Sequence, residues 1–136
     1  MARIKHIALT TSDPAKAAAF YKEAFGLTEV RRSPRGAVFL TDGYINVAIL
    51  NHKTEKDADV GAHGPNFDGI HHFGFEVDDL DEACQKLENA KAQRLTGKDH
   101  VDATMAAGGH ANFEMKWAGP DGLVIDISHT GWEGTH

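Results

Sequence analysis

Residues 5–27 read KHIALTTSDPAKAAAFYKEAFGL, and residues 71–83, HHFGFEVDDLDEA, restart the same pattern. In the first stretch, apolar and polar residues alternate over residues 3–10, which predicts a half-buried strand. Ser12, Asp13 and Pro14 then supply a helix cap followed by proline in the first turn. Ala17, Phe20, Tyr21 and Ala24 fall at i, i+3, i+4 and i+7, one stripe of a helix over about 14–25, and Gly26 is placed to end it. Strands are expected at about 27–32, 36–41 and 43–50, with Asp42-Gly43 as a tight turn between the last two.

Working outward, residues 51–69 are polar and glycine-bearing and read as a connection. The pattern then resumes with a strand at 70–77, a cap at Asp78-Asp79, and a helical stripe of Leu80, Ala83, Cys84, Leu87 and Ala90. Strands near 92–96 and 112–118 and a Pro120-Asp121-Gly122 turn into a strand at 122–128 complete it. Shifting the chain by 66 residues lays His6 on His72, Leu9 on Phe75, Asp13 on Asp79, Ala17 on Ala83 and Tyr21 on Leu87. The order of elements matches as well, so the reading is an internal repeat. The predicted fold is α+β, with two βαβββ modules at about 3–51 and 70–128, a linker at about 52–69 and a tail at 129–136, all in one domain 1–136.

At 136 residues the chain is long enough to bury roughly 70% of its unfolded surface, so it needs no staple. The single cysteine, Cys84, cannot form an internal disulfide, and the apolar run Ile7–Leu9 is far too short for a signal peptide or a membrane span. A cytoplasmic protein that binds no membrane is therefore expected. A net charge of −6 with scattered Lys and Arg argues against nucleic acid as a partner. Nine histidines are more than packing asks for, and their places matter more than their number.

His6 within KHIALTTSDPAKAAAFYKEAFGL, His72 within HHFGFEVDDLDEA, and the closing GPDGLVIDI resemble the vicinal-oxygen-chelate superfamily, which includes glyoxalase, bleomycin resistance proteins and extradiol dioxygenases. The resemblance spans about residues 3–128. It implies a mixed sheet curved around a cleft with the helices on its outer face, and a divalent metal (Fe, Mn, Zn, Ni or Co) held by the first and last strands of the modules. It places His6 and His72 on two ligand positions and Asp126 where the last strand normally offers the longer glutamate. The corresponding place in the first module has no carboxylate: counting from Gly43 lands on Val47, whereas strand parity selects Asn46 or Ala48.

Side chains alternate across a strand, so parity tests this set. With Ile7 and Leu9, Phe73, Phe75 and Val77, and Leu123, Ile125 and Ile127 under the helices, His6, His72 and Asp126 all face the cleft. Two histidines and one carboxylate leave open coordination sites, an arrangement suited to non-haem Fe(II) and also to Mn, Zn, Ni or Co. By the same parity His71 points to the opposite face, toward a helix end or a subunit contact. Glu76 and Glu114 are candidate proton carriers, with pairing to Lys116 or an arginine as the alternative. Tyr44 and Asn46 are candidate substrate contacts, and so is His110, in a 97–111 segment long enough to form a lid. Trp117 and Trp132 read as core or dimer contacts, and the tail as a cover for the cleft or for a partner subunit.

The resemblance thus implies a metal-dependent enzyme acting on a small oxygen-bearing molecule by isomerase, epimerase or lyase chemistry. An extradiol-type dioxygenase is the second enzymatic reading, and a metal-free small-molecule-binding protein the non-enzymatic one. Family members of this size are commonly homodimers.

Overall fold

The computed structural model describes residues 1–96 and 114–136; the 97–111 segment with His110, proposed above as a lid, lies outside the described residues. The elements run β1 (Arg3–Thr11), α1 (Pro14–Phe25), β2 (Thr28–Arg32), β3 (Val38–Thr41), β4 (Asn46–Asn51), β5 (Gly69–Glu76), α2 (Leu80–Asn89), β6 (Gln93–Arg94), β7 (Met115–Ala118) and β8 (Val124–Ser128). Eight strands make one curled mixed sheet in the order β2-β3-β4-β1-β5-β8-β7-β6. Its two halves mirror the repeat. Each module's last strand lies parallel to its first, β4 beside β1 and β8 beside β5, and the two first strands pair antiparallel at the centre. The α+β fold of two βαβββ halves is therefore the one that forms.

Local chemistry sets the helix boundaries. The Asp13 carboxylate accepts from Lys16 N–H and Asp79 accepts from Glu82 N–H, each satisfying one orphan donor of a first turn. Gly26 ends α1 in the left-handed conformation, φ 71°, where a side chain would be strained.

The helices cover less of the outer face than parity alone predicts. Helix α1 packs Ala17, Ala18 and Tyr21 on Val38, Leu40, Val47 and Ile49, and α2 packs Leu80, Ala83, Cys84 and Leu87 on Met115, Trp117 and Ile127. Each helix thus sits over its module's later strands. Ile7, Leu9, Phe73 and Phe75, expected beneath the helices, are only half-buried at the centre of the sheet. Leu123 and Phe20, also assigned to packed faces, are exposed. For Phe20 the reason is rotational: the buried stripe of α1 runs through Pro14, Ala17, Ala18 and Tyr21, which turns Phe20 outward.

The opposite face is where buried polar residues gather. His6 and Thr10 on β1, Asn46 on β4, His72 on β5, and Asp126 and Ser128 on β8 are all buried, with Ala8, Ala48 and Val124 between them. Two β-bulges interrupt the central β1–β5 ladder. The register steps from Ile4↔Phe75 to His6↔Gly74, leaving Lys5 unpaired, and from Leu9↔Ile70 to Ala8↔His72, leaving His71 unpaired. Lys5 and His71 are 66 residues apart, so the bulge is repeated with the module, each time just before the cleft histidine. A bulge re-aims the side chain of the extra residue, and parity counting fails there.

Candidate active site

Three strands bring His6, His72 and Asp126 together. His6 Nε2 lies 3.4 Å from His72 Nε2 and 3.7 Å from Asp126 Oδ2, and His72 Nε2 lies 3.1 Å from Asp126 Oδ2. Donor atoms bound to one cation at about 2.1 Å stand about 3.0–3.4 Å apart in octahedral or tetrahedral geometry. Two edges of this triangle fall in that range and the third, His6 to Asp126 at 3.7 Å, is a few tenths of an ångström wider, so a small inward shift of these side chains would let the set hold a first-row divalent metal.

Hydrogen bonding turns both imidazoles the right way. Asn46 donates from Nδ2 to the Glu133 carbonyl at 3.1 Å, which turns its Oδ1 toward His6 Nδ1 at 2.8 Å. An amide oxygen only accepts, so His6 carries its proton on Nδ1 and offers the Nε2 lone pair. On the other ring, His72 Nδ1 stands 2.7 Å from His71 Nδ1, and His71 Nε2 stands 2.9 Å from the Val60 carbonyl. Burial pushes the His72 imidazole down to about 4, with the nearby Asp126 opposing and Lys116 assisting, so the ring is neutral at physiological pH. Two imidazoles and a carboxylate converging in a buried site is the chemistry of a cation receptor.

Lys116, expected only as a partner for Glu76 or Glu114, completes the site. Lys116 on β7 donates to both oxygens of Asp126, at 3.0 and 3.1 Å, and lies 3.4 Å from Asp59, which also pairs with Lys53 at 3.1 Å. Burial works against the Lys116 charge, but Asp126, Glu114 and Asp59 together raise its pKa. Burial likewise favours a neutral Asp126, yet the Lys116 ammonium and the two histidines hold its carboxyl well below the usual range. The signal for Lys116 was available: Met115 and Trp117 are core residues, which leaves Lys116 on the cleft face.

The tail closes one side. Trp132 stacks on His6 with ring centroids 4.8 Å apart and planes within 5°, and its Nε1 donates to Glu114 at 2.9 Å. Trp132 is buried, as its expected place in the core requires, and it packs there against His6. Thr41 donates to the Gly134 carbonyl, Arg31 to the Glu133 carboxylate and Lys5 to the His136 carbonyl, fastening the tail along module one.

The remaining candidates fall farther out. Glu76 shares the face of His72, but the indole of Trp132 lies over Gly74 between them, and the Glu76 carboxylate lies against Gly131. Tyr44 sits in the Asp42–Ile45 turn before β4, about half exposed, beneath the Lys5 ammonium at 3.3 Å. Asn46 is in the site, but its oxygen is engaged by His6. At the place in β4 equivalent to Asp126, opposite Ala8 as Asp126 is opposite Gly74, stands Ala48, so the first module has no counterpart to that carboxylate. His71, expected on the far face, is buried and bonded to His72, because the bulge re-aims it.

A curled sheet of two βαβββ halves, with a histidine from each first strand meeting a last-strand carboxylate, defines a class of paired-module proteins. The chain belongs to the glyoxalase/bleomycin resistance protein/dioxygenase superfamily, whose model matches residues 3–127. It is 28% identical over 110 residues to the human mitochondrial methylmalonyl-CoA epimerase, covering 76% of this chain and 62% of that protein. Among solved structures, the Streptomyces coelicolor methylmalonyl-CoA epimerase in complex with 2-nitronate-propionyl-CoA superposes with a TM-score of 0.66 at 16% identity, covering 93% and 95% of the two chains. A 2,3-dioxygenase from Pseudomonas sp. KL28 superposes at 0.53 with 18% identity, covering 93% of this chain and 40% of that one. Among the described residues no helix is long and apolar enough to cross a membrane.

Proposed function

We propose that this protein is a metal-dependent enzyme that moves a proton next to a carbonyl group of a small, oxygen-chelating substrate, as in an epimerase or isomerase. The observation that carries this reading is the convergence of two fixed Nε2 lone pairs and the Asp126 carboxylate in a buried site. The likeness to an epimerase acting on an acyl-coenzyme A supports the reaction class.

A divalent cation held by His6, His72 and Asp126 would supply Lewis-acid stabilisation of the charge that develops on a substrate oxygen. The chain's own residues do the rest. Asn46 orients His6, and Lys116 keeps Asp126 ionised and pins both its oxygens. Trp132 and the tail exclude water from the His6 side. Of the two carboxylates offered as proton carriers, Glu114 is the better placed, held by Trp132 and close enough to Lys116 to raise its pKa. Glu76 is set apart from the triad by the indole.

Metal analysis of protein prepared without a histidine tag, repeated on His72→Ala, tests the centre. Stoichiometric metal in the parent and none in the variant is expected, and a metal-free parent would sink the proposal. The same two-histidine, one-carboxylate set favours a second reading, an iron-dependent dioxygenase. Catechol-dependent oxygen uptake by the iron-loaded protein would establish that reading instead of proton transfer.

A further inference from the structure

The two cleft histidines are oriented by different devices, and the second device runs through the linker. Asn46, one strand over, fixes His6. For His72 the only nitrogen left over, Nδ1, meets another histidine, and a contact of 2.7 Å between two imidazole nitrogens requires one proton between them. The direction of that proton is set further out. The Val60 carbonyl can only accept, so at 2.9 Å His71 carries N–H on Nε2 and offers the Nδ1 lone pair inward. With His72 donating from Nδ1, its Nε2 lone pair is free for a cation shared with His6 Nε2 and Asp126 Oδ2, which lie 3.4 and 3.1 Å away.

We propose that His71 is a positioning residue: together with the Val60 carbonyl it locks His72 in the tautomer, and the ring in the orientation, that a metal ion at His6, His72 and Asp126 requires. This rests on the metal reading above and adds a role for the 52–68 connection. Neighbouring residues on a regular strand point to opposite faces, so only the bulge at His71 allows His71 and His72 to meet. The module-one counterpart of His71 is Lys5, which has no acceptor nitrogen, and there Asn46 does the work. His71 is buried, so the relay is shielded from competing water.

Zinc affinity of the tag-free, chelator-stripped protein tests the assignment in the parent, His71→Asn and His71→Gln. An asparagine amide oxygen falls near the Nδ1 position and can still accept from His72, whereas glutamine reaches the Nε2 position and keeps only the bond to Val60. Loss of an outer partner of a ligand histidine weakens metal binding by roughly 10–100-fold. That loss is expected for His71→Gln, with His71→Asn recovering most of it. Nitrogen-15 spectra of the zinc-loaded parent should show His72 protonated on Nδ1 and His71 on Nε2. Parent-like zinc affinity in His71→Gln, or His72 protonated on Nε2, overturns the positioning role and leaves the metal centre standing. A parent that takes up no zinc overturns both.

Discussion

Lys116 is the residue on which the electrostatics of the site turns. Its ammonium and a divalent cation would draw on the same carboxylate, so it sets how strongly Asp126 can hold a metal. Removing one member of a buried ion pair costs about 3–5 kcal/mol because the other charge is left uncompensated. Lys116→Met is therefore expected to lower the stability of chelator-treated protein by about 3 kcal/mol in urea titrations. It should also tighten zinc binding on the order of 10-fold, because a competing positive charge is gone. Asp126→Asn should show the first effect and lose metal uptake altogether, read by calorimetric titration. His72 gives a pH signature. Its folded value near 4 lies below the ordinary 6.5, so between those values the unfolded chain binds more protons. Stability of the metal-free protein should be full above about pH 6.5 and fall by about 3 kcal/mol as pH drops to 4, at 1.36 kcal/mol per unit. Asp126, also depressed, adds its loss below its ordinary 3.8. Urea midpoints measured at pH 7, 5.5 and 4.5 check this, and a flat profile would contradict it.

At the scale of the element, β5 matters most. It carries His72, the bulge at His71, and Gly74, over which the tail indole packs. A Cβ on Gly74 would stand 2.9 Å from the Trp132 ring and 3.1 Å from His6 Cβ. Gly74→Ala is expected to displace the indole and destabilise the fold by about 1–3 kcal/mol, as overpacking does. Tryptophan fluorescence should report the displaced ring. In Gly74→Ala/Trp132→Ala the cost of the alanine should largely vanish relative to Trp132→Ala alone, and equal costs in both backgrounds would show that the indole is not what the methyl meets.

At the scale of the whole molecule, the triad spans both modules, with His6 from the first and His72 and Asp126 from the second. A cation bound across them stabilises the native chain by linkage, about 2.7 kcal/mol at a free concentration 100 times its Kd. Zinc or manganese at that level should raise the melting temperature in a single transition that chelator reverses, because the β1–β5 ladder ties the halves together. Two transitions, with only one moved by metal, would mean that the modules unfold separately.

How much was legible follows from what each signal encodes. Periodicity, caps and the 66-residue repeat specified the elements and their duplication, because these depend on residues near in sequence. Parity placed His6, His72 and Asp126 on one face, because alternation is a local property of a regular strand. It failed at His71, where the ladder is bulged, and at Phe73 and Phe75, where the position of α2 over the later strands decides burial. The Lys116–Asp126 pair, the indole over Gly74 and the path from Val60 through His71 to His72 all join residues distant in sequence. The sequence by itself determined the elements, their duplication and the shared face of His6, His72 and Asp126. Tertiary structure alone decided which of them touch, because hydrogen bonds and ion pairs depend on separations of tenths of an ångström that only strand register, bulges and the returning tail establish.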